Sequence, residues 1–458
     1  MPGKKAAPVW VLKGCLIILI SAFLFTFVTS VFNPRVQASG IIESGAPSIT
    51  NSVANSDAQS VMDLQALMGR ITRNTGIYSF VTSMRTGVCP LGRPCNVCGW
   101  QELYMVLLGF LLVYLGAKKG LEPVFLVPIG FGVIFANIPF ANMGADQGFL
   151  SVIFNAGIGN AFFPLVILIC LGASSDFSSL IANPKNAIPG ITAQLGVFAA
   201  LSLASIANII PGVSFNIREA AVVSIIGSAA GPAAIFTASR LSPHILPTVA
   251  LAAFFYMALA PKIQRPVTML LTNKEERLIK MKAPRHVSRA EKVAFPLFCF
   301  ALTILFFPAA APLIGCLMFG NFIRETGITQ KLSNSAQNEL MNIVTMFLAL
   351  GIGSRITPEV FLNPTALAIV LVGLIAFCLT CAGGILGAKF MNLWLNEKIN
   401  PLIGSAGVSV MPQAAAVSDQ IAQEEDPGNP ILNHALGTNA AGLIATAIVA
   451  GLMIAVFG

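Results

Sequence analysis

The feature that most constrains this chain is a succession of apolar runs from Trp100 to the C-terminus, most of them long enough to cross a bilayer. Hydrocarbon offers the backbone no hydrogen-bond partners, so spanning segments must be helices or closed barrels. The runs lack the alternation of apolar and polar residues that marks barrel strands. Only 10% of the 458 residues are charged and 55% are hydrophobic, which excludes a water-soluble exterior for most of the chain. The sequence therefore predicts an all-α polytopic membrane protein.

The basic residues are unevenly distributed and indicate topology. The net charge is +8, and the densest basic segment spans residues 263–292. By the positive-inside rule this loop is cytoplasmic, and it divides the membrane part into two halves, residues 100–262 and 293–458. No basic stretch is interleaved with aromatic residues, so we expect no nucleic-acid partner, and the partner that the charge implies is the lipid bilayer.

The N-terminal region is different in character. Residues 1–38 have a basic start, an apolar run and small residues ending at Ala38, a pattern typical of a signal peptide or of an uncleaved signal-anchor helix. Both alternatives export residues 39–99, which are polar. This segment ends with three cysteines, Cys89, Cys95 and Cys98. A disulfide with one thiol left over fits an oxidising compartment, whereas a metal site would lack a nearby fourth ligand.

Two apolar runs, one in each half, are interrupted in the same way. Both contain the letters I-G-S-A, with Gly or Pro completing each interruption. The residues concerned are Gly227, Ser228, Gly231 and Pro232 in the first run, and Gly404, Ser405, Ser409 and Pro412 in the second. Paired broken helices in the two halves of a transporter present helix ends to an ion or substrate near the midplane. The alternative is that these small residues only let helices pack closely.

Polar side chains near the second interruption favour an ion site. Asn400 precedes it, Ser405 and Ser409 lie within it, and Asn439 lies in the last apolar run. Amide and hydroxyl oxygens are hard ligands suited to a small alkali cation, but they supply no charge. Other polar candidates, Asp176, Glu325 and His434, are equally expected as helix-end or packed residues.

At this point the sequence resembles the beta subunits of the sodium-ion-translocating biotin-dependent decarboxylases, the oxaloacetate, methylmalonyl-CoA, glutaconyl-CoA and malonate decarboxylases. The resemblance covers the chain from about Gly99 to Gly458. It depends on the runs KKGLEPVFLVPIGFGVIFANIP, GASSDFSSLIANP, FGNFIRETG, NPLIGSAGVSVMP and HALGTNAAG. Residues 1–98 lie outside it.

The resemblance implies a bacterial inner-membrane subunit that receives carboxybiotin from a biotinylated alpha subunit, lets it lose carbon dioxide, consumes a proton and exports sodium. A small gamma- or delta-type membrane subunit is a further implied partner, and a homo-oligomer is compatible with it. The implied fold is an inverted repeat with two discontinuous helices and elevator-like motion. The implied sodium-site residues are Asn400, Gly404, Ser405, Ser409 and Asn439. Tyr256 is the implied catalytic residue, near the proton or biotin path.

Two positions depart from the family pattern. The first interrupted run of the family carries an aspartate where this chain has Ala230, and the second carries an arginine where it has Ala416. A cation that leaves water without a counter-charge loses several kcal/mol of solvation that dipoles must offset. Sodium coupling is therefore the open question. Glu219, on the same run as Ala230, is a candidate substitute acid, although an acid is already favoured at a helix start.

Two other functions remain open from the sequence. One is a stand-alone ion or solute transporter on the same fold, and the other is a non-catalytic beta-like paralogue. Both would retain the apolar runs and the two interruptions. The acyl substrate of a decarboxylase complex would be chosen by the carboxyltransferase subunit, not by this chain.

Overall fold

The structure is a computed structural model. It describes Thr75 and residues 99–458, apart from residues 121, 140, 142, 145–147, 210–211, 328–329 and 411. The signal segment predicted for residues 1–38 and the three cysteines of the exported segment lie outside the described residues. Backbone contacts divide the chain into two compact units, residues 1–103 with 138–141, and residues 104–137 with 142–458. Few residues of the first unit are described, and every side chain discussed below belongs to the second.

All regular secondary structure among the described residues is helical. In the first half the α-helices are α1 (Gly99–Lys119), α2 (Pro123–Asn137), α3 (Phe149–Ile153), α4 (Phe162–Ser174), α5 (Ser178–Ala182), α6 (Ala187–Ala193), α7 (Leu195–Ile206), α8 (Ile217–Ile226), α9 (Gly231–Leu241) and α10 (Leu246–Leu271). They are followed by α11 (Lys274–Arg277), α12 (Arg289–Phe306), α13 (Ala311–Thr326), α14 (Gln330–Ser335), α15 (Met341–Gly353), α16 (Pro358–Phe361), α17 (Pro364–Met391), α18 (Gln413–Glu425) and α19 (Leu432–Phe457).

Five helical stretches of the described residues are long and apolar enough to cross a membrane. They are Gln101–Lys119, Pro184–Ile209, Pro243–Leu271, Pro364–Met391 and Leu432–Phe457. A sixth is formed if Phe149–Gly159 and Phe162–Ser174, which meet at 61°, are counted as one bent span. The predicted all-α polytopic class is confirmed. Because α10 continues to Leu271, the first residues of the loop predicted at 263–292 are helical.

Capping residues account for several helix starts. Asn363 accepts a hydrogen bond from the Thr365 amide at 3.0 Å, and Pro364, which has no N–H to satisfy, follows it at the start of α17. Ser288 and Glu291 form a capping box at the start of α12, where the chain returns from the basic loop to the apolar region.

The contacts between helices of the first half and helices of the second half come in matching pairs. Helix α2 packs against α15 and α4 against α13, while α10 packs against α17 and α19 against α6. Likewise α10 contacts α18, and α19 contacts α9. If α2, α4, α6, α9 and α10 correspond in order to α13, α15, α17, α18 and α19, each contact has its counterpart. This agrees with the predicted internal repeat, whereas its inverted orientation and the elevator motion stay predictions.

Candidate ion-binding site

The first interruption separates α8 from α9. Helix α8 ends at Ile226, residues 227–229 form a turn, and Ala230 precedes the first residue of α9. Ala229 has a φ of +53°, in the left-handed region that non-glycine residues rarely adopt. Pro232, in the first turn of α9, has no N–H for the missing helical bond. We call residues 227–230 the first break.

The second interruption has a different local form. Pro401–Gly407 is a 3-10 helix capped by Asn400, Val408 is extended, and α18 starts at Gln413 after Pro412. We call residues 401–410 the second break. A 3-10 helix lacks the main-chain hydrogen bonds of an α-helix and forms weaker ones in their place. Side chains from other helices therefore supply hydrogen bonds to the backbone of this segment.

The two breaks contact each other directly. The Ser409 amide donates to the Ser228 carbonyl at 2.8 Å. The Ser228 hydroxyl is used inside its own helix, where it donates to the Ile225 carbonyl at 2.7 Å. The main-chain oxygen of Ser228, rather than its hydroxyl, is therefore the group that reaches the second break.

The glycines of both breaks serve close packing on α17. A Cβ on Gly227 would lie 2.7 Å from the main-chain carbon of Ala376, and a Cβ on Gly404 would meet the Gly384 carbonyl. Close packing, one of the two explanations for these small residues, is thus provided by the glycines, and polar contacts are provided by the serines. Glycine lets each break approach α17, while serine backbone and hydroxyl groups make the polar contacts.

A buried hydroxyl chain extends from the second break. Ser409 donates to the Thr446 hydroxyl at 2.8 Å, and Thr446 donates to the Gln194 amide oxygen at 3.2 Å. Gln194, at the junction of α6 and α7, is 3% exposed and donates to the Gly442 carbonyl at 3.4 Å. Sequence reasoning missed Thr446 and Gln194, because a lone threonine and glutamine in apolar runs carry no distinguishing pattern.

Asn439 holds the second break from α19. Its side-chain nitrogen donates to the carbonyls of Ala406 and Val408, at 2.8 and 2.6 Å. Its side-chain oxygen is fully buried and has no partner among the described residues. A buried amide oxygen without a donor is costly, about 1–3 kcal/mol, and such a group is an available ligand for a cation or a water molecule.

Asn400 and Ser405 act at the other end of the 3-10 segment. The Asn400 side chain accepts from the Leu402 amide at 3.0 Å and donates to the carbonyls of Arg277 and Ile279 at 2.9 and 3.0 Å. Ser405 donates to the Leu402 carbonyl at 2.8 Å and lies 2.9 Å from the Ser418 hydroxyl. Both ends of the Asn400 amide are therefore engaged within the protein.

The segment held by Asn400, residues 277–282, follows α11 and will be called the strap. Asn429 donates to the same two carbonyls at 3.4 and 3.2 Å, and His434 contacts the Lys282 carbonyl at 2.9 Å. Since a carbonyl only accepts, that ring nitrogen of His434 carries the proton. Ion pairs to α18 and its following loop add to these contacts, such as Lys280 with Asp426 at 2.9 Å. His434 is thus a packed residue of the kind expected from the sequence.

A cavity of about 180 Å³ lies beside the breaks. Its wall includes Ala230 and Pro232 of the first interruption and Ser409 of the second. Most of the remaining wall is apolar, from α4, α10 and α19, and its further polar side chains are Glu122 and Gln413. Asn439 lies one helical turn before Leu443, another wall residue. This volume is large enough to hold an ion together with several water molecules.

Two other candidates, Tyr256 and Ala416, do not line this cavity. Tyr256 is 1% exposed and donates to the Val370 carbonyl of α17, so its hydroxyl is used in packing α10 against α17. Ala416 lies on the exposed face of α18, in an open surface depression with Asp419 and Glu424. The two departures, Ala230 and Ala416, therefore line different spaces.

The acids noted from the sequence have local partners. Glu219 accepts from the Asn216 amide at 2.9 Å in a capping box and lies 2.7 Å from His244, so it is occupied at the start of α8. Partial burial would raise the pKa of Asp176, but a hydrogen bond from Ser178 and the charge of Arg324 outweigh it and lower that pKa. Among the described residues no three His, Cys, Asp or Glu side chains are grouped as metal ligands.

Comparison with known proteins places this geometry in a family. The model of the Na⁺-transporting oxaloacetate decarboxylase beta subunit matches residues 101–457. Glutaconyl-CoA decarboxylase subunit beta of Acidaminococcus fermentans is 46% identical over 359 residues, which are 78% of this chain and 94% of that protein. Methylmalonyl-CoA decarboxylase subunit beta of Veillonella parvula is 45% identical, covering 77% of this chain and 92% of its own length. The oxaloacetate decarboxylase beta chain of Klebsiella pneumoniae is 39% identical, covering 78% and 95%.

These relatives are named for three different decarboxylase substrates, so the likeness does not select one of them. It does span both halves of the membrane part, including the two breaks. The chain therefore belongs to the family of Na⁺-transporting oxaloacetate decarboxylase beta subunits.

Proposed function

We propose that this chain is the membrane subunit of a carboxybiotin decarboxylase complex and that sodium passes through the cavity between its two breaks. The observation that supports this most is the convergence on one small buried space. The first break, the second break and α19 meet there, and the Asn439 oxygen beside them has no protein donor among the described residues. Carbonyl, hydroxyl and amide oxygens of this kind are suited to a dehydrated alkali ion.

The proposed ligands are the groups nearest the junction of the breaks. Ser409 lines the cavity, Asn439 is held next to it by its hydrogen bonds to the carbonyls of Ala406 and Val408, and Thr446 positions the Ser409 hydroxyl. Asn400, Gly404 and Ser405 support the same 3-10 segment from its far end. In this proposal Tyr256 remains the catalytic residue. It lies on α10, two residues after Phe254, which lines the cavity.

The proposal includes the partners that the family resemblance implies. A biotinylated alpha subunit presents carboxybiotin at the cytoplasmic side, where the strap and the start of α11 lie in the predicted topology, and a gamma-type subunit completes the complex in the bacterial inner membrane. The chemistry of decarboxylation belongs to carboxybiotin. This chain supplies the place where a proton is taken up and a sodium ion is moved.

The absence of an acid at position 230 weakens the site in this proposal. Ala230 is 5% exposed and contributes only a methyl group to the cavity wall. A carboxylate introduced there would face the ion directly. Restoring the exposed position 416 would add a charge outside this cavity, because Ala416 lines the surface depression of α18.

The test measures sodium uptake into proteoliposomes during decarboxylation by the complex assembled with its biotinylated partner. We expect uptake by the unaltered chain, and we expect Ala230→Asp to lower the half-saturating sodium concentration by about tenfold, equivalent to about 1.4 kcal/mol. Ala416→Arg is the matched control, because it also restores a family residue but at a position outside the cavity. It should leave the half-saturating sodium concentration unchanged.

Two results would contradict the proposal. Decarboxylation without sodium uptake in the unaltered chain, with uptake only after Ala230→Asp, would mean that the fold was kept and the pump lost. No decarboxylation by any assembled complex, together with ion flux through the chain alone, would mean a stand-alone transporter.

A further inference from the structure

The cavity beside the breaks contains one ionisable side chain among its described wall residues. That residue is Glu122, which lines the same space as Ala230 and Ser409. The remaining described wall residues are apolar apart from Ser409 and Gln413, and none carries a charge at neutral pH. A carboxylate placed in such surroundings is a strong attractor for a cation, because little else competes for its field.

Glu122 is positioned by backbone rather than by helix packing. It immediately precedes α2, and its carbonyl accepts from the amides of Phe125 and Leu126 at 3.1 and 3.0 Å. Its φ of +39° lies in the left-handed region, where a residue with a side chain is strained. The turn therefore holds this side chain beside the cavity in a strained backbone conformation.

The carboxylate is also tied to the second interruption. The side-chain nitrogen of Gln413, the first residue of α18, donates a hydrogen bond to one carboxylate oxygen of Glu122. The other carboxylate oxygen has no protein donor among the described residues. Glu122 thus lies where α2, the first break and the start of α18 come together, with one oxygen available to a ligand.

We propose that Glu122 provides the counter-charge for the monovalent cation in this cavity, the charge that Ala230 leaves absent from the first break. This inference rests on the proposed function, since it assigns a charge to the cation site proposed there. The acid lies in the turn before α2, whereas Ala230, the position where the family carries its aspartate, lies before α9. A carboxylate elsewhere on the wall of the same cavity offsets the same desolvation of the ion.

The test is sodium binding to the purified chain alone, in detergent, without the decarboxylase partners. Thermal stability is followed as sodium chloride replaces choline chloride at constant ionic strength, because a ligand that binds the native state raises Tm. We expect Glu122→Gln to raise the half-saturating sodium concentration by about tenfold or more. Glutamine keeps the shape and can still accept from Gln413, so Tm without sodium should be unchanged.

Two further variants make the test specific to charge in the cavity. Glu122→Gln combined with Ala230→Asp moves the carboxylate to the first break, within the same cavity lining, and should return the half-saturating sodium concentration to within about threefold of the unaltered chain. Glu359→Gln removes an exposed glutamate of α16, outside the cavity, and should have no effect.

The inference is overturned if Glu122→Gln binds sodium as the unaltered chain does, if Ala230→Asp fails to restore binding, or if sodium does not stabilise the unaltered chain. Its failure is distinguishable from failure of the proposed function. Loss of coupled uptake in proteoliposomes, with Glu122-dependent binding intact, would leave a cation site that is not coupled to decarboxylation.

Discussion

The change of Asn400 to alanine separates a structural function from an ion-binding one. The family resemblance assigns this residue to the sodium site, whereas the structure uses its whole amide to join the second break to the strap. Asn400→Ala removes the cap on the 3-10 helix and leaves the carbonyls of Arg277 and Ile279 with weaker donors. We expect the variant to be less stable and to bind sodium with unchanged affinity.

The magnitude follows from the three hydrogen bonds. Losing an asparagine cap costs about 1 kcal/mol, and each carbonyl that loses a donor costs about 1 kcal/mol. Asn429 also donates to both carbonyls, at 3.4 and 3.2 Å, and reduces the second contribution. The expected total is about 2–3 kcal/mol. With an unfolding entropy of about 2 cal/mol/K per residue over the membrane part, Tm should fall by about 3–4 °C.

The assay is thermal unfolding of the purified chain in detergent, with and without sodium, supported by limited trypsin digestion. Asn400→Ala should lower Tm by the same amount in both conditions, and cleavage after Lys280 and Lys282 in the strap should be faster. Asn429→Ala, whose hydrogen bonds to the strap are longer, is the matched control and should show a smaller fall. A variant that keeps its Tm without sodium but loses the rise produced by sodium would refute the reasoning and make Asn400 an ion ligand.

Three further predictions follow from the packing and the charges. Gly404→Ala should reduce the yield of folded protein, by a destabilisation of about 2 kcal/mol or more, because its Cβ would meet a carbonyl of α17. Gly159→Ala is the matched control and should not lower Tm, because this glycine is exposed and the nearest atom to an added Cβ would be 3.8 Å away. Thr446→Val should lower Tm by an amount equivalent to about 1–2 kcal/mol in the same detergent assay, because it interrupts the buried hydroxyl chain. Thr446→Ser keeps the hydroxyl but loses a buried methyl group, so its Tm should fall by less, an amount equivalent to about 0.8 kcal/mol. The hydrogen bond from Lys280 lowers the pKa of Asp426 below its usual 3.8, so its stabilising effect is complete above that value and lost as pH falls through the lower folded pKa. The difference in Tm between Asp426→Asn and the unaltered chain should therefore be full at neutral pH and shrink as the pH falls below 3.8.

The polar surface of the membrane part is organised around the strap. Arg277 pairs with Glu425 at 2.9 Å and Lys280 with Asp426 at 2.9 Å, so charges of the basic loop are matched by acids at the end of α18 and just after it. The Arg277–Glu425 pair is largely buried, whereas the Lys280 side chain is exposed and its pair contributes little by itself. The buried side chains Asn400 and Asn429 are the contacts that define the position of the strap.

The candidate site was partly predictable from the sequence. Glycine, proline and serine at Gly227–Ser228 and Gly404–Ser405 indicated the two breaks, and the structure has both. The sequence indicates Glu219 as a candidate substitute acid, because it lies on the same apolar run as Ala230 and only residues near in the chain can be related by pattern. Glu219 forms a capping box instead, and the charged residue of the cavity wall is Glu122, far away along the chain.

The sequence by itself determined the class of the protein. Long apolar runs in a medium without hydrogen-bond partners permit only helices, and glycine and proline within such runs interrupt them wherever they fold. These consequences are local, so they follow from residues close together in the chain. The family likewise follows from contiguous motifs.

Only the tertiary structure decided which side chains share a space. It brought Glu122 to Gln413 and Gln194 to Thr446, pairs separated by 291 and 252 positions. It also turned Ala416 to the surface and engaged Asn400 with the strap. The physical reason is that the rotation and crossing of packed helices depend on contacts along their whole length. A change of one residue in register carries a side chain by about 100° around its helix, from the cavity to the lipid.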